Sequence, residues 1–267
     1  NLFSGNNNSV FGAEALSGSG QDNSAFGYQA LHTNSTGVSN SAFGASALFS
    51  NNFGTNNVGI GFGSMQNNTA GSFNTSIGSF SASNLTTGIN NTSVGSASLK
   101  GIVSGNNNSA LGSETNFGAG NLTNSTAIGA FAQVDASNSM VLGGVNGING
   151  ATSNVNVGIG TTTPLDRLHV VGNLRMVDGN QATGKVLTSD TNGVGTWQDP
   201  SAFSWSLTGN TVNAATNFLG STNDADVIFR RNNTIAGRLG QYRTSLGFQA
   251  LEYYTNSFLD NTAIGNG

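Results

Sequence analysis

A glycine preceded by one apolar residue recurs along the chain: Gly12, Gly27, Gly44, Gly61, Gly78, Gly95, Gly112, Gly129, Gly143 and Gly160. The spacings are 15, then 17 six times, then 14, then 17. Four residues before each glycine stands Asn or Ser, from Asn8 and Asn23 through Asn108 to Ser125, Ser139 and Asn156. Directly before it stand Phe11, Phe26, Phe43, Ile60, Ile77, Val94, Leu111, Ile128, Leu142 and Ile159. A period held this long predicts a repeat array whose stacked turns share one core, since a unit this short cannot bury an apolar face alone.

A second apolar column follows four residues after the glycine, at Leu16, Leu31, Leu48, Met65 and Leu99. The two columns are five residues apart, and one straight strand aims only even separations at one face. For both to point inward the chain must turn at the glycine, which tolerates the positive φ of a corner and the close approach of the next turn. Each unit is therefore expected to be two short strands and two corners, stacked at about 4.8 Å per turn. Ten such turns make a rod of roughly 45–50 Å. The Asn and Ser or Thr that open each unit are expected to close Asx-type turns on nearby backbone.

Composition agrees with an all-β repeat solenoid. Glycine numbers 39 and asparagine 40 among 267 residues, and both disfavour helix interiors. Only 8 basic and 12 acidic residues are present, with a net charge of −4 and 16 phenylalanines, which is unlike the highly charged, aromatic-poor composition of a disordered chain. The lack of basic clusters leaves little to neutralise phosphates, which argues against nucleic acid as a partner. No apolar run approaches the eighteen residues of a membrane span, and cysteine is absent. The chain opens at Asn1 without a leader and closes on "NTAIGNG", so it reads as a piece of a longer polypeptide. About two large apolar side chains per turn leave a lone roll marginal against the entropy of ordering it. Obligate self-association would cover both the apolar surface and the sheet edges.

The units "NSAFG", "NTSIG", "NTSVG" and "STAIG", beginning at Asn40, Asn74, Asn91 and Ser125, resemble the head repeats of trimeric autotransporter adhesins, the YadA-like left-handed parallel β-roll. "YQAL" at Tyr28–Leu31 and "FQAL" at Phe248–Leu251 resemble the version found in phage tail fibres and fibre-like bacterial surface proteins. "VGIGTTTPLDRLHVVGNLRM" from Val157 and "GKVLTSDTNGVGTWQ" from Gly184 are similar to segments of the same group. Such segments commonly precede a self-cleaving intramolecular chaperone domain; in this chain another block follows, and then the repeats resume. The resemblance implies an intertwined parallel homotrimer whose task is reach and attachment.

Four regions follow. Residues 1–160 form the head-repeat array and 161–200 a connector. In the connector, Thr163 and Pro164 suit the start of a short helical turn, and alternation from Leu168 through Val170, Gly172 and Leu174 to Met176 suits a half-buried strand. Asn192-Gly193 between Val186-Leu187 and Val194–Trp197 predicts a hairpin. Residues 201–242 read as a small β insertion, a knob or collar, with "NFLG" and "VIFRRNN" as strands. Residues 243–267 resume the array, with Gly247 and Gly265 18 apart.

Candidates for chemistry are sparse. His32 and His169 stand without partners in sequence, and no residues suggest a metal or cofactor site. Asp224 and Asp226, near Arg230 and Arg231, could be a carboxylate pair for glycan hydrolysis, but a turn with a surface ion pair is the better explanation of them. Asn34-Ser35-Thr36 matches the glycosylation triplet, as an Asn-rich chain does by chance. Thr75, Thr92 and Thr126 make only a broken column for an ice-binding face. Phe49, Phe53, Phe73 and Phe117 lie outside the apolar columns and are candidate receptor contacts or packing residues. The expected protein is a non-enzymatic, extracellular trimeric fibre segment, an attachment or receptor-binding spacer of a phage tail or contractile injection machine. A bacterial surface adhesin is the alternative and a glycan depolymerase the remote one. Its expected partners are further copies of itself, a host glycan or protein receptor, and other fibre or baseplate proteins.

Overall fold

The computed structural model describes residues 7–200, 227–231, 234–239, 243–246 and 261–264. It is all-β, with no α-helix among the described residues, and divides into two compact units at Leu174 and Arg175.

The first unit is a parallel β-solenoid. One strand per turn enters a nine-stranded sheet, in the order β1 (Ser9–Phe11), β2 (Ser24–Phe26), β3 (Ser41–Phe43), β4 (Val58–Ile60), β5 (Thr75–Ile77), β6 (Thr92–Val94), β7 (Ser109–Leu111), β9 (Thr126–Ile128) and β11 (Met140–Leu142). Register follows the repeat residue by residue, so that Phe26 lies beside Phe43 and Ile60 beside Ile77. On the later turns β8 (Asn116–Phe117) and β10 (Gln133–Val134) form a second, two-stranded parallel sheet.

The expected second strand of each unit is absent from the earlier turns. Residues two and four past the corner glycine adopt left-handed backbone there, as at Gln29 and Leu31 (φ 57° and 52°) and at Ser46 and Leu48 (φ 56° and 51°). Alternating left-handed residues curl the segment and break strand geometry. It nonetheless stacks from turn to turn, with Leu31 N–H donating to Ala47 C=O at 3.0 Å and Leu48 N–H to Ser64 C=O at 2.9 Å.

Leu16, Leu31, Leu48, Met65 and Leu99 are fully buried, but the residues before the glycines face outward, contrary to expectation. The reason is strand alternation. The opening Asn points in, so the residue two later points in and the residue three later points out. The inward position is filled by Ala25, Ala42, Gly59, Ser76, Ser93, Ala110 and Ala127. These small side chains allow the opposite wall, Ala30, Ala47, Ser64, Ser81, Ser98 and Ala132, to approach closely; the same residues are buried.

The opening asparagines do not make local Asx turns. Asn23, Asn40, Asn57, Asn74, Asn91 and Asn108 are buried and bond between turns. Asn57 is typical: its backbone N–H and its Nδ2 both donate to Asn40 Oδ1, at 3.0 and 3.1 Å, and Nδ2 also donates to Gly71 C=O at 2.7 Å. Each amide thus ties three successive turns and satisfies backbone groups that a narrow coil buries.

All ten corner glycines from Gly12 to Gly160 have positive φ. At Gly78 φ is +134°, and a Cβ there would lie 2.4 Å from Gly95 O. The corner thus excludes every other residue both conformationally and sterically. The tenth match does not extend the large sheet: β12 (Val157–Ile159) pairs in parallel with β13 (Leu168–Val170), not with β11. Thr163 lies in a bend and Pro164 in irregular chain rather than in a helical turn, and the strand expected to run to Met176 stops at Val170.

In the second unit β14 (Val186–Ser189) and β15 (Gly195–Gln198) form the antiparallel hairpin, with Leu187 opposite Trp197. A four-stranded sheet follows: β16 (Val227–Arg231), β17 (Thr234–Leu239), β18 (Arg243–Leu246) and β19 (Asn261–Ile264). Its first two pairings are antiparallel, but β18 and β19 pair in parallel with Leu246 beside Ile264, the register of the array. "NFLG", Asp224, Asp226, Phe248–Leu251, Gly247 and Gly265 lie outside the described residues.

Candidate functional site

The largest chemical feature of the first unit is the outer face of the nine-stranded sheet. Each strand presents its first and third residues outward. The third positions make one unbroken apolar column from Phe11 to Leu142, with Phe11 75% exposed and Phe26, Phe43, Ile60, Ile77 and Leu111 also exposed. Nine strands at about 4.8 Å make this column roughly 38 Å long. The rings of Phe26 and Phe43 stack at 4.9 Å with an interplanar angle of 3°, as parallel in-register pairing dictates. The first positions are Ser9, Ser24, Ser41, Val58, Thr75, Thr92, Ser109, Thr126 and Met140. Thr75, Thr92 and Thr126 therefore do share a face, interrupted by Ser109.

The candidate aromatics divide three ways. Phe53 and Phe73 are well exposed, at 62% and 58%. Phe49 is half-buried and stacks on the His32 ring at 5.0 Å. Phe117 is 2% exposed and belongs to the core. Its burial follows from β8: where the second segment straightens, an extended chain carries a large side chain inward.

The histidines take structural positions. His32 Nδ1 contacts Glu14 C=O at 2.9 Å, and His169, in β13, accepts through Nδ1 from Leu165 N–H at 3.2 Å. No cluster of three or more metal-ligating side chains occurs among the described residues. Asn34 is fully buried and donates to Gly37 C=O at 2.9 Å, which removes its triplet from any surface chemistry. Lys100 and Glu114 pair across neighbouring turns.

Sequence reasoning missed a buried hydroxyl network. Ser64 Oγ donates to Ser76 Oγ at 2.9 Å, Ser76 Oγ to Ser81 C=O at 2.9 Å, and Ser81 Oγ meets Ser93 Oγ at 2.7 Å, with Ser98 closing on Ser93. The signal for it was a run of "TSIG" and "TSVG" units whose serine takes the inward strand position. In the connector, Asp178 accepts from the N–H of Asn180 at 2.8 Å and of Trp197 at 3.2 Å, while Trp197 Nε1–H donates to Met176 C=O at 3.0 Å. The Asn180 N–H foremost holds the Asp178 carboxyl below its ordinary value, against desolvation and with help from Trp197.

No protein-family model matches the chain, and no curated protein matches it.

Proposed function

We propose that the chain is a segment of a homotrimeric, non-enzymatic fibre, an extracellular spacer that holds an attachment function at a distance on a phage tail or contractile injection machine. The observation that carries this reading is the apolar column from Phe11 to Leu142. A face of this size left in water would be a strong association site, and its regular spacing fits an identical column better than an irregular partner. Three parallel copies would bring their columns together along one axis and turn the outward Phe, Ile and Leu into a shared core.

The connector supports the same reading. The β12–β13 pair is an isolated two-stranded parallel sheet, an arrangement that normally needs cover on its faces. Leu165, Leu168, Val171 and Leu174 are all exposed around it. With self-association assigned to the sheet face, Phe53 and Phe73 join Tyr28, Phe62 and Phe80 as outward aromatic contacts available to a receptor. A bacterial surface adhesin uses the same physics and differs in what anchors the fibre.

The test is the mass of the purified chain in solution by sedimentation equilibrium. Three times the chain mass of 27.0 kDa is expected for the wild type. Phe43→Asp with Ile77→Asp, which places carboxylates in the column, is expected to lower that mass to the monomer. A wild-type monomer with a sharp melting transition overturns the reading.

A further inference from the structure

Residues 1–143 hold 24 asparagines and 22 glycines, yet no asparagine there is followed directly by glycine. Asn-Gly is the dipeptide most open to spontaneous deamidation, because glycine leaves its own backbone nitrogen unshielded beside the asparagine carboxamide. The described Asn-Gly pairs all fall beyond the large sheet, at Asn146-Gly147, Asn149-Gly150 and Asn192-Gly193.

The three pairs differ in what holds the attacking nitrogen. Gly147 N–H donates to Ala151 C=O at 2.9 Å, and Gly193 N–H to Asp190 C=O at 3.1 Å. Gly150 N–H makes no hydrogen bond among the described residues. Gly150 is exposed, and a Cβ built on it would meet only the Phe131 ring, at 3.7 Å, so the backbone there has room to rearrange. The Asn149 side chain also has a task, since its Nδ2 donates to Glu114 C=O. That bond ties the loop after β11 to the wall of the solenoid 35 residues earlier.

We propose that Asn149-Gly150 is a deamidation site whose conversion releases the loop after β11 from the solenoid. The Gly150 nitrogen loses its proton and attacks Asn149 Cγ, forming a five-membered succinimide and expelling Nδ2 as ammonia. Water then opens the ring at either carbonyl, leaving aspartate or isoaspartate. No oxidant or enzyme is needed. The atom expelled is the donor of the Glu114 bond, and the carboxylate that replaces it faces a carbonyl oxygen with no proton to offer. In the isoaspartate product the backbone also gains a methylene, which the turn closed by Ala151 N–H to Ile148 C=O (2.9 Å) has no way to absorb. The modification is thus a one-way loosening of the solenoid end, set by elapsed time and pH.

The experiment incubates the full chain at mildly alkaline pH and follows each Asn-Gly pair by peptide mass mapping, with hydrogen exchange read on residues 144–155. Residue 149 is expected to convert ahead of residues 146 and 192, while the asparagines of the array remain intact. Asn149→Asp is expected to show the faster exchange from the outset, and Gly150→Ala to suppress conversion at 149 without slowing it at 192. Conversion at 149 no faster than at 146 and 192 overturns the proposal. So does an Asn149→Asp protein whose loop exchanges as slowly as the wild type.

Discussion

The turns that begin at Asn23 and Asn40 and those that begin at Asn74 and Asn91 fill the same interior in opposite ways. The earlier pair lines both walls with alanine (Ala25 and Ala30, Ala42 and Ala47) and places an amide, Asn34 or Asn51, at the third inner corner. The later pair lines both walls with serine (Ser76 and Ser81, Ser93 and Ser98) and places Leu85 or Ile102 at that corner. All four turns fill their interior with buried side chains, but outside the Asn and Gly columns no residue identity is fixed. The two solutions meet in the turn from Asn57, which has Ser64 on its wall and still carries Asn68 at the corner. There the inner amide ladder ends: Asn68 Nδ2 donates to Asn51 Oδ1 and Gly71 C=O, but the next corner is Leu85, and Asn68 Oδ1 is buried without a partner. That atom marks the seam between the two halves.

The corners should not distinguish the halves. Gly44→Ala and Gly95→Ala each force a side chain onto a φ of +134° and against the next turn, and each is expected to cost about 3 kcal/mol or more in denaturant unfolding. Clearly unequal losses would mean that the backbone, and not only its filling, differs between the halves. The third inner corner should show equal losses by different routes. Asn51→Ala strands the buried Asn34 Oδ1 and takes one partner each from the Asn68 amide and the Gly54 carbonyl, while Ile102→Ala opens a cavity, and both are expected to cost about 2–4 kcal/mol.

The seam can be moved. Leu85→Asn alone offers Asn68 a partner but leaves the turn underfilled beside Ala82, with an expected loss of about 2 kcal/mol. Adding Ala82→Leu restores the Leu and Asn that the earlier turns carry at these two positions, on serine walls, and should bring stability back to within about 1 kcal/mol of the wild type. If the double variant is no better than the single one, the two fillings are not interchangeable.

The smallest effect lies outside the solenoid and separates it from the connector. Because the Asp178 carboxyl is held low, its contribution is complete above its ordinary value of 3.8 and is lost as pH falls through the lower, folded-state value. Acid below that range is expected to loosen the Trp197 contact, read by indole fluorescence, without changing the relative stability of the two solenoid halves. Asp178→Asn should flatten that response.

The period, the glycine corners and the Leu16-to-Leu99 column were legible because each rests on one residue type at one spacing. The side taken by Phe11, Phe26 and their successors was misjudged from size: hydrophobicity pointed inward, while alternation from the buried Asn puts the small residue inside. That asparagine was itself hard to place, since local turn chemistry and turn-to-turn ladders demand the same residue, and only the neighbouring turn decides between them. Left-handed backbone at Leu31, Leu48 and Met65 has no sequence signal, because leucine and methionine avoid that region and adopt it only under the constraint of the stack. The hairpin at Asn192-Gly193 was readable because its signal is local.

The asparagine ladder has a consequence for how such a molecule changes over generations. Each opening amide from Asn40 to Asn91 finds the same donor and acceptor above and below it, so one whole 17-residue period can be copied or deleted with the Asn-column and corner-glycine contacts unchanged in kind. Reach is therefore adjustable in discrete steps by unequal recombination alone, with no compensating substitution required. The inner corner, where amide gives way to leucine, shows that copies then diverge in their filling while the steps stay the same height.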